Sequence, residues 1–314
     1  MKTRLFSLAL LLCLLLPLLL GCGGGNSPGG GTEALPMPDA NSFFEVHFID
    51  VGQADAALVI CDGYTMLIDG GNREDSDRIY SYLRKQGVTY LDYVVSTHPH
   101  EDHVGGLAGA LTAVNAGVVY SPTTEFPTSA FQNFANRVRA RGLELTVPTP
   151  GEQFFLGCAQ VTILGPLQEY DDVNNTSIVL RIVYGETSFL FTGDMEQEAE
   201  RDLFDSGVEL RSTVLKVGHH GSNSSSTYRF LRAVAPTYGV IPVGKNNEYG
   251  HPTESVLSRL RDAEVTLYRT DLHGDVICYS DGKTVSFHTQ KEIPPIPGRS
   301  STTAAEENGT EKAK

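Results

Sequence analysis

Cysteine is scarce in this 314-residue chain, and its spacing argues against several kinds of site. Of five cysteines, Cys13 and Cys22 stand near the amino terminus, which leaves Cys61, Cys158 and Cys278 for the rest of the chain. These three are far apart and form no CxxC pair, so they are more typical of buried apolar residues than of a zinc knot or disulfide framework. The sequence leaves open whether two of them form a disulfide. Metal chemistry in this chain would have to use histidine and carboxylate ligands.

Positive charge is also in short supply. The chain has 24 Lys and Arg against 38 Asp and Glu, a formal net charge of −14. A protein that grips the nucleic-acid backbone usually presents a cluster of Lys and Arg, and none stands out here. A glycine-rich phosphate loop is missing too, which argues against a nucleotide-binding Rossmann domain.

The first 22 residues have the pattern of an export signal. A basic start, Met1–Arg4, precedes the apolar run Leu5–Leu20, which stops at Gly21-Cys22. The run is short for a bilayer span, which favours a cleaved signal over an uncleaved membrane anchor. The end of this segment resembles the lipobox of bacterial lipoproteins. That resemblance implies a lipid on Cys22 and an extracytoplasmic, membrane-anchored location.

Composition sets the other boundaries. Residues 23–40 are rich in Gly, Pro, Ser and Asn, and the chain from about residue 294 is rich in Pro, Ser, Thr and Glu. Such segments bury too little apolar surface to fold. We therefore expect four parts: a signal peptide at 1–21, a flexible tether at 22–42, a folded domain at 43–290 and a disordered tail at 291–314.

Within the folded part, strands and helices alternate in two similar rounds. Ala57–Cys61 and Tyr64–Ile68 predict a hairpin, and Asp77–Gln86 predicts a helix closed by Gly87. The apolar runs Leu91–Thr97 and Val214–Val217 predict two buried strands, each of which ends in histidines. Two mixed halves of this kind predict an α/β protein with two sheets packed face to face and helices outside, an αββα sandwich.

The strongest functional signal directly follows the strand that ends at Thr97. His98, His100, Asp102 and His103 lie within six positions. In a tight loop, alternate residues can point to one place, so His98 and His100 can share one metal while Asp102 and His103 face a neighbouring point. Imidazole and carboxylate suit Zn²⁺, Mn²⁺ or iron. A solvated polar loop with coincidental histidines is the alternative.

The HxHxDH pattern after a strand resembles the metallo-β-lactamase superfamily, and other motifs follow in that family's order. Asp69 resembles its early structural aspartate, Asp194 the carboxylate that bridges two metals, and His219 the late metal histidine. The resemblance implies the metallo-β-lactamase fold and a hydrolase.

Within that superfamily the chain is most similar to the hydrolase domain of ComEC-type competence proteins. The segments that carry the similarity are Asp50–Ala56, Asn175–Ser177, Leu215–Ser222 and Tyr249–Pro252. Ala54 stands where that subfamily usually has glycine. The many membrane spans of the DNA channel are not in this sequence, so the resemblance implies a related catalytic domain without a role in DNA import.

The resemblance implies two divalent metal ions, Zn²⁺ or Mn²⁺. No histidine lies between His103 and His219, where many family members have a ligand of the first metal. We expect one site to be weak. The expected ligands of the first metal are His98, His100 and Asp194, with an asparagine at 174 or 175 or Asp172. Those of the second are Asp102, His103, Asp194 and His219.

Several neighbouring residues are candidates for catalysis or substrate contact. Asp102 can orient a water or take its proton, and His220 or His251 can contact the substrate or protonate the leaving group. Both histidines can equally serve to orient ligands. The candidates for substrate binding are Lys216, Ser222 and Asn175; for Lys216, a structural role is the alternative.

These residues favour a metal-dependent phosphodiesterase outside the cell, with DNA as the leading substrate because of the ComEC resemblance. A cell-wall phosphodiester such as teichoic-acid phosphocholine is the second candidate substrate. A non-catalytic, metal-binding surface lipoprotein is the alternative of another class. The membrane, through the lipid, is the expected partner, and no protein partner is evident.

Overall fold

The computed structural model describes residues 38–39 and 42–298. The expected signal peptide, Cys22 and almost all of the tether lie outside these residues, as do positions 299–314. Among the described helices, none is both long and apolar enough to cross a bilayer.

Fifteen strands and eight α-helices make up the described part of the chain. The strands are β1 (Phe44–Phe48), β2 (Ala57–Cys61), β3 (Tyr64–Ile68), β4 (Tyr90–Val95), β5 (Asn115–Tyr120), β6 (Leu145–Thr146), β7 (Gln153–Leu156), β8 (Ala159–Gly165), β9 (Val179–Tyr184), β10 (Thr187–Phe191), β11 (Val214–Lys216), β12 (Tyr238–Ile241), β13 (Thr266–Arg269), β14 (Val276–Ser280) and β15 (Val285–Thr289). The helices are α1 (Ser76–Lys85), α2 (Glu101–Val104), α3 (Leu107–Ala113), α4 (Ser129–Ala140), α5 (Gln197–Ser206), α6 (Tyr228–Val234), α7 (Glu254–Asp262) and α8 (Thr270–His273).

The strands form two mixed sheets. The first has the order β15-β14-β1-β2-β3-β4-β5-β6, and the second has the order β13-β12-β11-β10-β9-β8-β7. In the first sheet, pairing is antiparallel from β15 to β3 and parallel from β3 to β6. In the second, it is antiparallel from β7 to β10 and parallel from β10 to β13. Each sheet therefore has one parallel half whose strands all end on the same side.

The core has three layers of apolar side chains. Between the sheets, Phe44 lies against Tyr184 and Phe189, with ring centroids 4.9 Å apart in both pairs. Helices α1, α3 and α4 cover the outer face of the first sheet, and α5, α6 and α7 cover that of the second. Complete burial of an aromatic side chain contributes about 2–3 kcal/mol, and each of the three layers contains such buried rings, for example Phe44, Phe131 and Phe230. The predicted αββα arrangement is confirmed.

Two further features concern the cysteines and the carboxyl-terminal end of the folded part. The three cysteines in the described residues are all free thiols, so the open question of a disulfide is answered. The folded part does not stop at residue 290, because Lys291 N donates to His273 O and Ile296 exchanges backbone hydrogen bonds with Leu267 of β13. The composition predicts a tail from residue 291, and that prediction is wrong for residues 291–298, because a Pro-rich composition does not reveal this long-range pairing.

Candidate metal centre

The predicted ligands gather where the parallel strands end. Asp69 directly follows β3 and His98 follows β4, while Asp194 and His220 follow β10 and β11. The carboxyl ends of parallel strands in open α/β sheets are where ligands usually bind. Here the ends of both sheets meet, because Ile178 N donates to Thr97 O across them.

The histidine loop begins with two imidazoles that face each other. His98 Nε2 lies 3.0 Å from His100 Nδ1. Burial, and then the charge on His103, lowers the pKa of His98 well below its usual range. The ring is therefore neutral, which is the form that binds a metal. His98 and His100 thus converge on one point, as the sequence predicts.

Asp69 fixes the orientation of the His103 ring. The backbone N of Thr97 donates to Asp69 Oδ1 at 2.7 Å, and His103 Nδ1 lies 2.8 Å from Asp69 Oδ2. The other ring nitrogen of His103 then points at Asp194, whose Oδ2 is 3.3 Å away. A carboxylate that holds one nitrogen so that the other can bind is the common arrangement around metal-ligating histidines.

His220 completes a compact group of donors. Its Nε2 lies 3.3 Å from Asp102 Oδ2 and 3.5 Å from Asp194 Oδ2, and its Nδ1 is 3.0 Å from Pro242 O. One ligand atom from each of four residues lies within 4.8 Å of the others: Asp102, His103, Asp194 and His220. The structure therefore brings His220, which the sequence made a candidate for catalysis, into this group of possible metal ligands.

His219 faces the neighbouring side of the same centre. Its Nε2 is 3.6 Å from Asp194 Oδ2, while its Nδ1 is 3.1 Å from Glu196 Oε1. Both histidines of the pair have left-handed backbone conformations, with φ of 49° and 51°. This unusual pair of dihedral angles turns two adjacent side chains towards one site, which a regular strand or helix would not do.

One buried atom of the group tests whether a cation fits there. Among the described residues, His103 Nε2 has no hydrogen-bond partner, and the carboxylate oxygen that faces it, Asp194 Oδ2, lies 3.3 Å away. Buried polar atoms are rarely left without partners unless something else binds them. An imidazole nitrogen and carboxylate oxygens are the donors that Zn²⁺ and Mn²⁺ accept, so the residues fit a divalent metal.

Electrostatics supports the same conclusion. Burial disfavours a charge on His220, but Asp194 and Asp55 outweigh it and raise its pKa to about 10. Without a cation, a proton therefore compensates the buried carboxylates. Because a ligating histidine must be deprotonated, a metal and this proton compete for the same nitrogen.

The centre opens into a pocket of about 370 Å³, within the range typical of small-ligand sites. His251 lies in its wall. Burial, with His219 and His220 nearby, lowers the pKa of His251 to about 4. The ring is therefore neutral near pH 7 and is better suited to accept a hydrogen bond than to protonate a leaving group.

Lys216 does not reach the pocket, contrary to the expectation that it contacts the substrate. Its ammonium is buried, donates to Gly193 O at 2.9 Å and pairs with Asp55. The side chain points inward from β11, so its role is structural. Asp55, which the sequence singled out only as part of a motif, also lies 3.2 Å from His220 Nδ1 and so helps to position that ring.

The other two proposed substrate contacts are also occupied elsewhere. Asn175 is buried and its Oδ1 accepts from Glu196 N at 2.9 Å, so it shapes the loop after Asp194. Ser222 Oγ lies 2.9 Å from Ser224 Oγ. Neither lines the pocket, whereas the neighbour Asn174 does. Asp172 caps Asn174 N and does not line the pocket.

Comparison with known proteins agrees with this geometry. Residues 49–245 match the model of the metallo-beta-lactamase superfamily. The chain is 35% identical over 244 residues to competence protein ComA of Neisseria gonorrhoeae, covering 77% of this chain and 32% of that protein. It is 28% identical over 258 residues to ComE operon protein 3 of Bacillus subtilis, covering 76% of this chain and 33% of that protein.

The chain thus spans about a third of the length of these curated relatives. Among solved structures, CmlA, a diiron beta-hydroxylase from Streptomyces venezuelae, superposes with a TM-score of 0.50 at 16% identity, over 77% of this chain and 54% of that one. This likeness concerns the fold. Together, the αββα sandwich, the donor cluster at the strand ends and the family match show that the chain belongs to the metallo-β-lactamase superfamily.

Proposed function

We propose that this protein is a metal-dependent phosphodiesterase. The observation that carries the proposal is the convergence of Asp102, His103, Asp194 and His220, three of which, all except His103, line the pocket. His98 and His100 face each other, with 3.0 Å between His98 Nε2 and His100 Nδ1, and would hold a second ion together with Asp194. This second set has fewer carboxylates, so we expect it to bind its ion more weakly. A pair of divalent ions supplies a water of lowered pKa and polarises a phosphoryl oxygen.

The residues around the metals have separable roles in this proposal. Asp102 is the partly exposed carboxylate of the group and can accept a proton from the attacking water. Glu196 and Ser224 hold His219 Nδ1, at 3.1 and 3.3 Å, so that its other nitrogen faces Asp194 and the pocket. Asn174 lines the pocket, and its Nδ2 donates to Glu196 Oε1 at 3.3 Å, so it helps to hold the carboxylate that orients His219.

A single-stranded nucleic acid is the substrate that we propose first. One relative carries the name of a competence protein, which supports nucleic acid. A cell-wall phosphodiester is the second candidate substrate. The net charge of −14 favours it over a substrate that the protein would bind mainly through contacts to its phosphates. We also propose an extracytoplasmic location with a lipid on Cys22, which would bring the enzyme to either substrate.

The test uses the full chain loaded with Mn²⁺ or Zn²⁺. We expect metal-dependent hydrolysis of bis-p-nitrophenyl phosphate and of single-stranded DNA, and loss of both with Asp102→Ala. Hydrolysis of the small ester alone would redirect the search to cell-wall phosphodiesters. Bound metal without any turnover would refute the proposed enzymatic activity and would support the alternative of a non-catalytic metal-binding lipoprotein.

A further inference from the structure

One aromatic side chain at the mouth of the pocket is mostly exposed to solvent. Tyr249 is 73% exposed, although it lines the same pocket as His251 and Asp102. Apolar surface that stays in contact with water does not gain the stabilisation that burial would provide. Exposed aromatic rings occur elsewhere on this surface, such as Tyr64 and Tyr228, but Tyr249 lies at the rim of the candidate metal pocket, where its free face can contact a bound ligand.

The loop that carries Tyr249 is held in place. Asn247 Nδ2 donates to Gly244 O at 2.9 Å and to His251 O at 2.7 Å, and His251 N donates to Asn247 Oδ1 at 3.0 Å. The rings of Tyr249 and His251 are stacked, with centroids 5.7 Å apart and planes inclined by 26°. One side of the tyrosine is thus supported by His251, and the exposed side is presented to the solvent at the pocket.

The charge of the pocket narrows the choice of ligand. Of the described residues that line it, none is Lys or Arg, and Glu101 adds a negative charge to its wall. Ordinary nucleic-acid binding relies on cationic contacts to phosphates. The lining offers no such contact, so a nucleic acid held here would depend on the metal centre for its phosphate and on an aromatic ring for its base, and stacking on a ring requires no particular sequence.

We propose that Tyr249 stacks on a nucleobase of a single-stranded nucleic acid whose phosphodiester lies at the donor cluster. This inference rests on the proposed function and names the chemistry of its substrate. The base next to the scissile phosphate lies over the exposed face of Tyr249, and His251 supports the ring from behind. A stacked base would orient the neighbouring phosphate towards Asp102 and Asp194.

The experiment compares Tyr249→Ala, Tyr249→Phe and the full-length wild type. Tyr64→Ala is the matched control, because Tyr64 is also exposed but stands at the start of β3, the opposite end from Asp69. Two fluorescent phosphorothioate oligonucleotides of equal length and charge serve as probes, one of thymidines and one abasic. Fluorescence anisotropy with Mn²⁺-loaded protein gives the Kd for each, and hydrolysis of the matching phosphodiesters gives KM.

We expect the wild type to bind the thymidine strand roughly 5- to 150-fold more tightly than the abasic strand, the size that stacking on an aromatic ring contributes. Tyr249→Ala should bring this ratio close to one, while Tyr249→Phe and Tyr64→Ala should keep it. An equal ratio in the wild type, or a ratio that Tyr249→Ala leaves unchanged, overturns the inference. Failure of the wild type to hydrolyse bis-p-nitrophenyl phosphate overturns the proposed function instead, since the Kd ratio is measured without turnover.

Discussion

Replacement of Lys216 by methionine tests the structural role that the fold assigns to this residue. Methionine keeps much of the length of the side chain but removes the charge that pairs with Asp55 and lies 3.6 Å from Asp194 Oδ1. Burial raises the pKa of Asp55, but Lys216 and His220 outweigh it and hold the pKa below its usual value. Without the ammonium, a buried carboxylate loses its main partner.

The expected loss of stability can be bounded. Removing one member of a buried ion pair costs about 3–5 kcal/mol. Asp55 can escape part of this by taking up a proton, which from an ordinary pKa near 3.9 costs about 4 kcal/mol at pH 7 and about 1.5 kcal/mol at pH 5. We therefore expect Lys216→Met to lower the free energy of unfolding by about 3–4 kcal/mol at pH 7 and by clearly less at pH 5.

The direction of the pH dependence follows from the linkage between protonation of Asp55 and folding. In the variant, the folded-state pKa of Asp55 rises above its unfolded value, so the penalty relative to wild type grows as pH increases from about 4 and levels off above the new folded pKa. Urea denaturation in EDTA, at several pH values, measures this difference. Asp55→Asn combined with Lys216→Met should recover much of the loss at pH 7. A loss below about 1 kcal/mol at pH 7, or one that does not change with pH, would refute the buried ion pair.

Three further changes test the metal centre and its support. Asp69→Asn should weaken metal binding about 10- to 100-fold, because the carboxylate that orients His103 is lost; competition with a chelator measures the affinity, and an unchanged value would contradict the positioning role. His220→Ala should remove more bound metal than His219→Ala, because His220 lies in the group of four donors; elemental analysis after dialysis measures both, and the reverse order would support the original assignment of His219. Burial raises the pKa of Glu200 to about 7, although Thr227 N donates to it at 3.0 Å. Because this folded-state pKa lies above the unfolded value, the wild type should lose on the order of 3 kcal/mol of stability as pH rises from about 4.5 to 7, and Glu200→Gln should lack this dependence. Parallel pH profiles for the two proteins would show that Glu200 titrates normally.

Local patterns in the sequence were enough for much of the fold. The hairpin of β2 and β3 has the predicted bounds, since the Asp62-Gly63 turn and the apolar runs on either side act over a few residues. Gly87 closes α1 with a φ of 71°, as its position after the helix predicts. The histidine cluster was found because all its members lie in one loop, so their proximity needs no knowledge of tertiary structure.

Long-range pairing was beyond such reasoning. Strand β14 pairs with both β15 and β1. More than 200 residues separate β14 from β1 in the sequence, and no local signal indicates that these two strands pair. The attachment of residues 291–298 to β13 was hidden for the same reason. Periodicity indicates that a strand forms but does not select its partner, which depends on how the whole core packs.

The same limit applies to individual side chains at the site. The sequence by itself determined that His98, His100, Asp102 and His103 would be together and that Asp194 would be a candidate ligand. Only the tertiary structure showed that His220 as well as His219 faces Asp194, because two consecutive left-handed residues turn both rings towards the same centre. Only the tertiary structure showed that Lys216 points inward to Asp55, because alternation puts it on the same face of β11 as Val214 but does not say that this face packs between the sheets.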